Sequence, residues 1–155
     1  MGDILQQTGR PDEALVHLSE SLSICEQIGD DVGVFWAQKV QAMSHLDGQR
    51  VEESERLLRL AIAGFENFGE TITAAFCQAD LAKVLLVSDP DSAADMLADA
   101  VDTLIPVADA FLATHVLDTG ASVLIEVGDP ETALELLGAA SIWRLSTGTV
   151  IAPAN

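Results

Sequence analysis

The side chains best suited to chemistry are few and scattered along this chain. Its two cysteines, Cys25 and Cys77, lie far apart with no CxxC spacing, and its three histidines, His17, His45 and His115, do not pair at ligand spacing. No HExxH, no GxSxG and no glycine-rich loop ending in Gly-Lys-Ser/Thr is present. We therefore expect no catalytic residue, no metal site and no cofactor. We expect both cysteines to be buried as small hydrophobic side chains.

The charge of the chain limits its partners. Acidic residues number 25 against 7 basic ones, giving a formal net charge of −18. Because nucleic-acid binding depends on clustered Lys and Arg, we expect no direct contact with DNA or RNA. No uncharged stretch approaches the roughly 18 residues that cross a bilayer. The sequence opens without a basic region before an apolar run. We therefore expect a cytoplasmic protein that does not contact a membrane.

An internal repeat of about 40 residues indicates which elements position these side chains. The segment Gly-Arg-Pro-Asp-Glu-Ala from Gly9 returns as Ser-Asp-Pro-Asp-Ser-Ala from Ser88 and as Gly-Asp-Pro-Glu-Thr-Ala from Gly128. A looser copy begins at Gly48 with one extra residue. The closing small residues are spaced 40, 39 and 40 positions apart, at Ala14, Ser54, Ala93 and Ala133. We expect them to allow close approach between packed helices.

Prolines, acids and glycines mark the ends of the helices within each repeat. Asp89 and Asp129 suit N-caps, while Gly29 and Gly69 suit left-handed C-caps. A proline fits the first turn of a helix, as at Pro11, Pro90 and Pro130. Each of these second helices should run about 17 residues. Three further helices are predicted at about 31–47, 71–87 and 109–127. The adjacent acids Asp30-Asp31 and Glu52-Glu53 fall at helix ends, where capping and solvation account for them.

The predicted fold is all-α, a right-handed α-solenoid of about four helical hairpins with a period near 40 residues. The units are expected at about 1–30, 31–69, 70–108 and 109–148, forming one domain over 1–148, with an irregular tail at 149–155. Only eight residues precede Gly9, where other units have a whole first helix. We therefore expect the chain to be a fragment of a longer protein; the alternative is that it begins with a short capping helix.

The spacing of small residues, as from Ala42 to Ser54 or from Ala121 to Ala133, together with Gly-x-Pro-x-x-Ala at the turn, resembles the tetratricopeptide repeat. The closing stretch Ala-Leu-Glu-Leu-Leu-Gly-Ala-Ala-Ser-Ile-Trp-Arg, which starts at Ala133, resembles the C-terminal repeat arrays of large bacterial, especially actinobacterial, switch-ATPase transcriptional regulators. The first resemblance implies a scaffold for protein–protein interaction. The second implies a sensor or regulatory array whose ATPase and DNA-binding chemistry lie in other domains.

The tetratricopeptide resemblance also implies that the first helices line a concave binding groove. The candidate groove residues are Trp36, Lys39 and Met43, then Gln78 and Lys83, then His115, Asp118 and Ser122. Lys39 and Lys83, the only lysines, resemble in kind the basic residues that hold a carboxylate in peptide-binding relatives. The alternative is that they are surface residues whose stems cover apolar neighbours. Of Phe35 and Trp36, one should pack in the core and the other should face the groove.

Three functions agree with this fold. The first is a non-catalytic module that binds a protein or peptide, as the regulatory array of a transcriptional regulator. The second is small-molecule sensing in the concave groove near Trp36 and His115. The third is a structural role with self-association as a homodimer, through the apolar surface that an incomplete first unit would leave exposed.

Overall fold

A computed structural model describes residues 11–86, 88–107 and 110–147. A 3₁₀ turn, Ile105–Val107, follows the fifth helix, and no strand occurs in these three ranges. The helices are α1 (Pro11–Ile28), α2 (Asp31–Asp47), α3 (Val51–Asn67), α4 (Thr71–Leu85), α5 (Pro90–Leu104), α6 (Ala110–Glu126) and α7 (Pro130–Thr147). These bounds confirm the helices predicted from the punctuation of the repeat.

Packing follows the order of the chain. Each helix contacts the next, and α2, α4 and α6 also contact one another in sequence, α2 with α4 and α4 with α6. Short turns connect the two helices of each hairpin. A single hairpin cannot cover its own apolar face, so neighbouring hairpins stack on one another. The fold is therefore an all-α helical-repeat solenoid of the tetratricopeptide type, as predicted. None of the helices in the described ranges has the length and apolar character needed to span a membrane.

The N-termini of two second helices, α5 and α7, are capped as the sequence predicts, whereas α3 has no side-chain cap. The Ser92 N–H donates to Asp89 Oδ1 at 3.1 Å, and the Thr132 N–H donates to Asp129 Oδ1 at 3.2 Å. The hydroxyls of Ser92 and Thr132 donate to the second carboxylate oxygens at 2.6 and 2.7 Å. These bonds, first from the hydroxyl and then from the backbone, lower the pKa of Asp89 and of Asp129 below the usual value.

Left-handed residues end several helices. Gly29 and Gly69, with φ of 73° and 77°, confirm the predicted C-caps, and Gly128 has φ of 87°. The looser second copy of the repeat differs here, because Gln49 takes the left-handed position with φ of 60°. Glycine tolerates this conformation, whereas a residue with a Cβ is strained in it. The second copy therefore has the Gln49 side chain at the left-handed position that Gly128 occupies in the last copy.

The core is built from small side chains between a few large ones. Ala14, Ser54, Ala93 and Ala133 are all buried, which confirms the predicted register. The bulk between them comes from residues such as Phe65, Leu58 and Leu81. Close approach is most visible at Gly64, where an added Cβ would lie 2.4 Å from the Phe35 ring.

Some predictions lie outside the described residues, and one is wrong. The tail at 149–155, and the segment before Gly9, are not described. The division into four units stays a prediction. Cys77 is buried as expected, but Cys25 is partly exposed. Cys25 faces α2, since a Cβ added at Gly33 would lie 2.7 Å from its Sγ, but it lies in the last turn of α1, where the helix ends and its cover is incomplete.

Candidate functional site

A buried carboxylate ties three helices together. Asp80, in the middle of α4, is only 1% exposed. Its Oδ2 lies 3.1 Å from Lys39 Nζ on α2, and its Oδ1 lies 3.1 Å from His115 Nε2 on α6. Lys83, one turn further along α4, places Nζ 3.8 Å from the same Oδ1. We call these four residues the Asp80 cluster. It explains how a charged residue is accommodated inside an apolar helix interface.

The contacts in the Asp80 cluster are electrostatic rather than well-aligned hydrogen bonds. Neither Asp80 Oδ2 nor His115 Nε2 makes a hydrogen bond of good geometry with any described residue, although both lie at ion-pair distance from their partners. Asp80 Oδ2 and His115 Nε2 are therefore buried polar atoms whose hydrogen-bonding potential is not fully satisfied.

Charge in the cluster decides its ionisation state. Burial by itself raises the pKa of Asp80, but the contact with His115 and the charges of Lys39 and Lys83 outweigh burial and lower it to about 2. Burial and the nearby Asp80 charge raise the pKa of the Cys77 thiol to about 12. Asp80 is thus ionised at neutral pH, whereas the Cys77 thiol is protonated and a poor nucleophile. Two ammonium groups face one carboxylate, leaving local positive charge in a strongly acidic chain.

Phe76 connects this cluster to the surface. It lies one turn before Asp80 on α4, and its ring centroid is 4.3 Å from that of His115 and 5.7 Å from that of Phe111. Lys39 Nζ lies 4.6 Å from the centre of the Phe76 ring, in a cation–π contact. The Phe76 ring therefore contacts two members of the Asp80 cluster, His115 and Lys39. It also contacts Phe111, which is exposed.

An open cavity of about 350 Å³ lies beside Phe76. Three of its side chains are well exposed, with Trp36 and Ile72 each at 42% and Phe111 at 61%. We call this cavity the aromatic groove, and it is lined by Trp36, Ile72, Thr73, Phe76, Phe111 and Leu112. The lining comes from α2, α4 and α6, so the groove runs across the three first helices. A groove with aromatic walls and nearby positive charge is suited to an apolar ligand group that carries an acid.

The structure brings only part of the predicted groove residues together. Trp36 lines the aromatic groove, and Lys39, Lys83 and His115 belong to the Asp80 cluster. Phe35 is half-buried and packs edge-on against Phe65 and Phe68, whereas Trp36 also packs edge-on against Phe65 but is 42% exposed and lines the groove.

The other candidates lie elsewhere. Gln78 Nε2 donates to Glu66 Oε1 on α3 at 3.4 Å, and Asp118 accepts a bond from Arg144 on α7. The exposed Ser122 hydroxyl donates to the Asp118 carbonyl oxygen at 3.0 Å, and Met43 is half-buried. Binding by any of the eight residues stays a prediction.

Asp80, Phe76 and Phe111 were not singled out from the sequence, although the repeat contained the signal for two of them. Steps of 40 and 39 residues from Trp36 arrive at Phe76 and then His115, and a step of 39 from Ile72 arrives at Phe111. Equivalent positions of successive first helices therefore share one surface. Asp80 has no such signal beyond being a lone charge within Ala-Asp-Leu-Ala.

Comparison with known proteins agrees with the repeat. The family model described as tetratricopeptide repeat matches residues 1–67 of the chain. Searches of curated proteins and of solved structures each return no match. The match covers less than half of the chain and agrees with its tetratricopeptide-like fold, and such repeats typically mediate protein–protein interaction as non-catalytic scaffolds. Among the described residues, no group of three or more His, Cys, Asp or Glu side chains is placed to hold a metal ion.

Proposed function

We propose that this chain is a peptide-binding module that holds an apolar, acid-bearing segment of a partner protein in the aromatic groove. One observation carries the proposal: three successive first helices present large apolar side chains, with Trp36, Ile72 and Phe111 partly exposed around one cavity. Exposed aromatic residues that converge in a concavity are typical binding hot spots.

The Asp80 cluster supports the choice of an acid-bearing ligand. Lys83 is more exposed than Lys39, at 28% against 15% of the side chain, and its distance to the Asp80 carboxylate is longer. The Lys83 ammonium can therefore turn toward a ligand carboxylate while Lys39 and His115 keep Asp80 compensated. The rest of the chain is strongly negative and favours a basic partner. We therefore expect a ligand segment that binds the groove through an apolar group and one acid, within a partner that is otherwise basic.

Selection from a displayed peptide library tests the proposal. Peptides that bind the immobilised chain should lose at least tenfold in affinity with Trp36→Ala or Phe111→Ala, because each variant removes an exposed hot-spot ring. The matched control is Ile24→Ala, which removes an exposed apolar side chain on α1. Peptides that bind these variants and the control equally well would contradict the assignment of the groove.

Small-molecule sensing is the second candidate, and the volume of the cavity favours it. About 350 Å³ falls within the range of small-ligand pockets. A metabolite that binds there should raise the melting temperature of the wild type and have little effect on Trp36→Ala. A melting shift that both proteins share would place the ligand elsewhere.

We also propose that the module is the regulatory repeat array of a larger transcriptional regulator. This step rests on the resemblance of the stretch that starts at Ala133, not on the groove. The coding sequence upstream of Met1 tests it directly. A nucleotide-binding switch domain in the same reading frame would support the proposal, and a different neighbouring domain would contradict it.

A further inference from the structure

The last described helix, α7, carries an apolar stripe on its outer face. Leu134, Ile142 and Leu145 are 70%, 71% and 84% exposed. Gly138 lies between them at helical spacing, and an added Cβ there would meet no described atom within 4 Å. We call these four residues the α7 stripe. It is an open apolar surface with a gap at its centre.

Comparison with α3 shows that the stripe is not a face for stacking another repeat. The equivalent positions of α3 are Glu55, Arg59, Ala63 and Glu66, and the last three are exposed although α3 is covered by neighbours on both sides. The position that α3 buries through Ile62 corresponds to Ser141, which is polar and exposed in α7. A following repeat would therefore cover Ser141 and leave the α7 stripe open.

The geometry points to a second copy of this chain as the occupant of the α7 stripe, and we infer that two α7 helices pair antiparallel across a two-fold axis. With the axis near the middle of the helix, Leu134 faces Leu145 of the second copy, and Ile142 faces Gly138. Each copy thus places one large side chain over a glycine of the other, which gives two such contacts in the dimer. Such self-complementarity is what an isologous contact requires.

The charges of α7 favour the same direction. Its acids, Glu131 and Glu135, lie in the first half of the helix, and its one basic residue, Arg144, lies near the end and is paired with Asp118. A parallel pair would place Glu135 beside Glu135. An antiparallel pair separates the acids and aligns the opposite ends of the two helix dipoles.

Sedimentation equilibrium of the full chain tests the inference. One helix pair buries less than the roughly 1,200 Å² of a standard stable interface, so the wild type should form a dimer with Kd on the order of 10–100 μM. Salt should strengthen it, because each copy carries a formal charge of −18. Ile142→Glu should raise Kd at least tenfold. The control Val16→Glu, at an outward-facing residue of α1 that is 59% exposed, should leave Kd unchanged.

Gly138→Leu separates specific pairing from simple stickiness. Leucine fits the monomer, since the space around Gly138 is open, and it adds apolar surface. It should nevertheless abolish the dimer, because it collides with Ile142 of the second copy. Stronger association of Gly138→Leu would overturn the inference, as would a wild type that stays monomeric at every concentration. If the wild type is monomeric and the Ile142→Glu variant is cleaved by proteases faster than the wild type within residues 148–155, the α7 stripe binds the C-terminal segment of its own chain instead.

Discussion

Replacing Asp80 by asparagine tests whether the buried cluster stabilises the fold. The protein lowers the pKa of Asp80 from 3.8 to about 2, which corresponds to about 2 kcal/mol of stabilisation of the charged form. Asparagine has nearly the same shape but no charge, and it leaves Lys39 and Lys83 facing an uncompensated site. We therefore expect Asp80→Asn to lower the free energy of unfolding at neutral pH by about 2 kcal/mol.

The pH dependence gives this prediction its sign. Because the folded-state pKa is below the unfolded value, the stabilisation is complete above 3.8 and is lost as the pH falls through about 2. Urea titrations of wild type and Asp80→Asn, followed by circular dichroism, should differ at about pH 7 and converge near pH 2. Taking the difference between two proteins cancels the titration of the other carboxylates that they share.

The control for this measurement is Asp95→Asn, at an exposed acid of α5. It should change the free energy of unfolding by less than about 0.5 kcal/mol at either pH. Equal stability of Asp80→Asn and wild type at neutral pH would refute the reasoning. So would a difference that does not depend on pH, because the loss would then come from packing and not from charge.

Two further predictions concern the repeat itself. Ala14→Phe and Ala133→Phe should each destabilise the chain by roughly 1 to 3 kcal/mol by overpacking, whereas Ala63→Phe at an exposed position should not. Unchanged melting temperatures for both buried variants would count against the register. Gln49→Gly should raise stability by up to about 1 kcal/mol by relieving the left-handed strain, and Gly128→Ala should lower it by a similar amount. Calorimetry measures all five, and a destabilised Gln49→Gly would show that the Gln49 side chain matters more than the strain.

Local sequence signals predicted the ends of the helices well. The caps at Asp89 and Asp129 and the left-handed Gly29 and Gly69 depend on residues within one turn, so the order of residues is sufficient to find them. The turn after α2 was the exception, because Gln49 and not a glycine has the left-handed conformation there. The looser copy contains Gly48 one position earlier, and only the backbone shows which residue takes positive φ.

Contacts between helices were harder to predict. Asp80 meets Lys39 and His115, each more than 30 residues away in the chain, and the combination depends on the packing of three helices. The two lysines were predicted to share one groove, and the structure brings both to Asp80. Their shared partner was missed, because a lone acid in an apolar helix looks the same in sequence whether it is buried or exposed.

The ties that Asp80 makes to α2 and α6 bear on how the chain unfolds. In a stack where helices touch mainly their neighbours, segments can open independently from either end. Asp80 interacts at once with one residue of the preceding first helix and one of the following. Opening any of these three helices removes a partner from the buried charges that remain. The middle of the array is thereby coupled into a single cooperative unit, and α1, which packs mainly against α2, is left as the part that can fray without disturbing it.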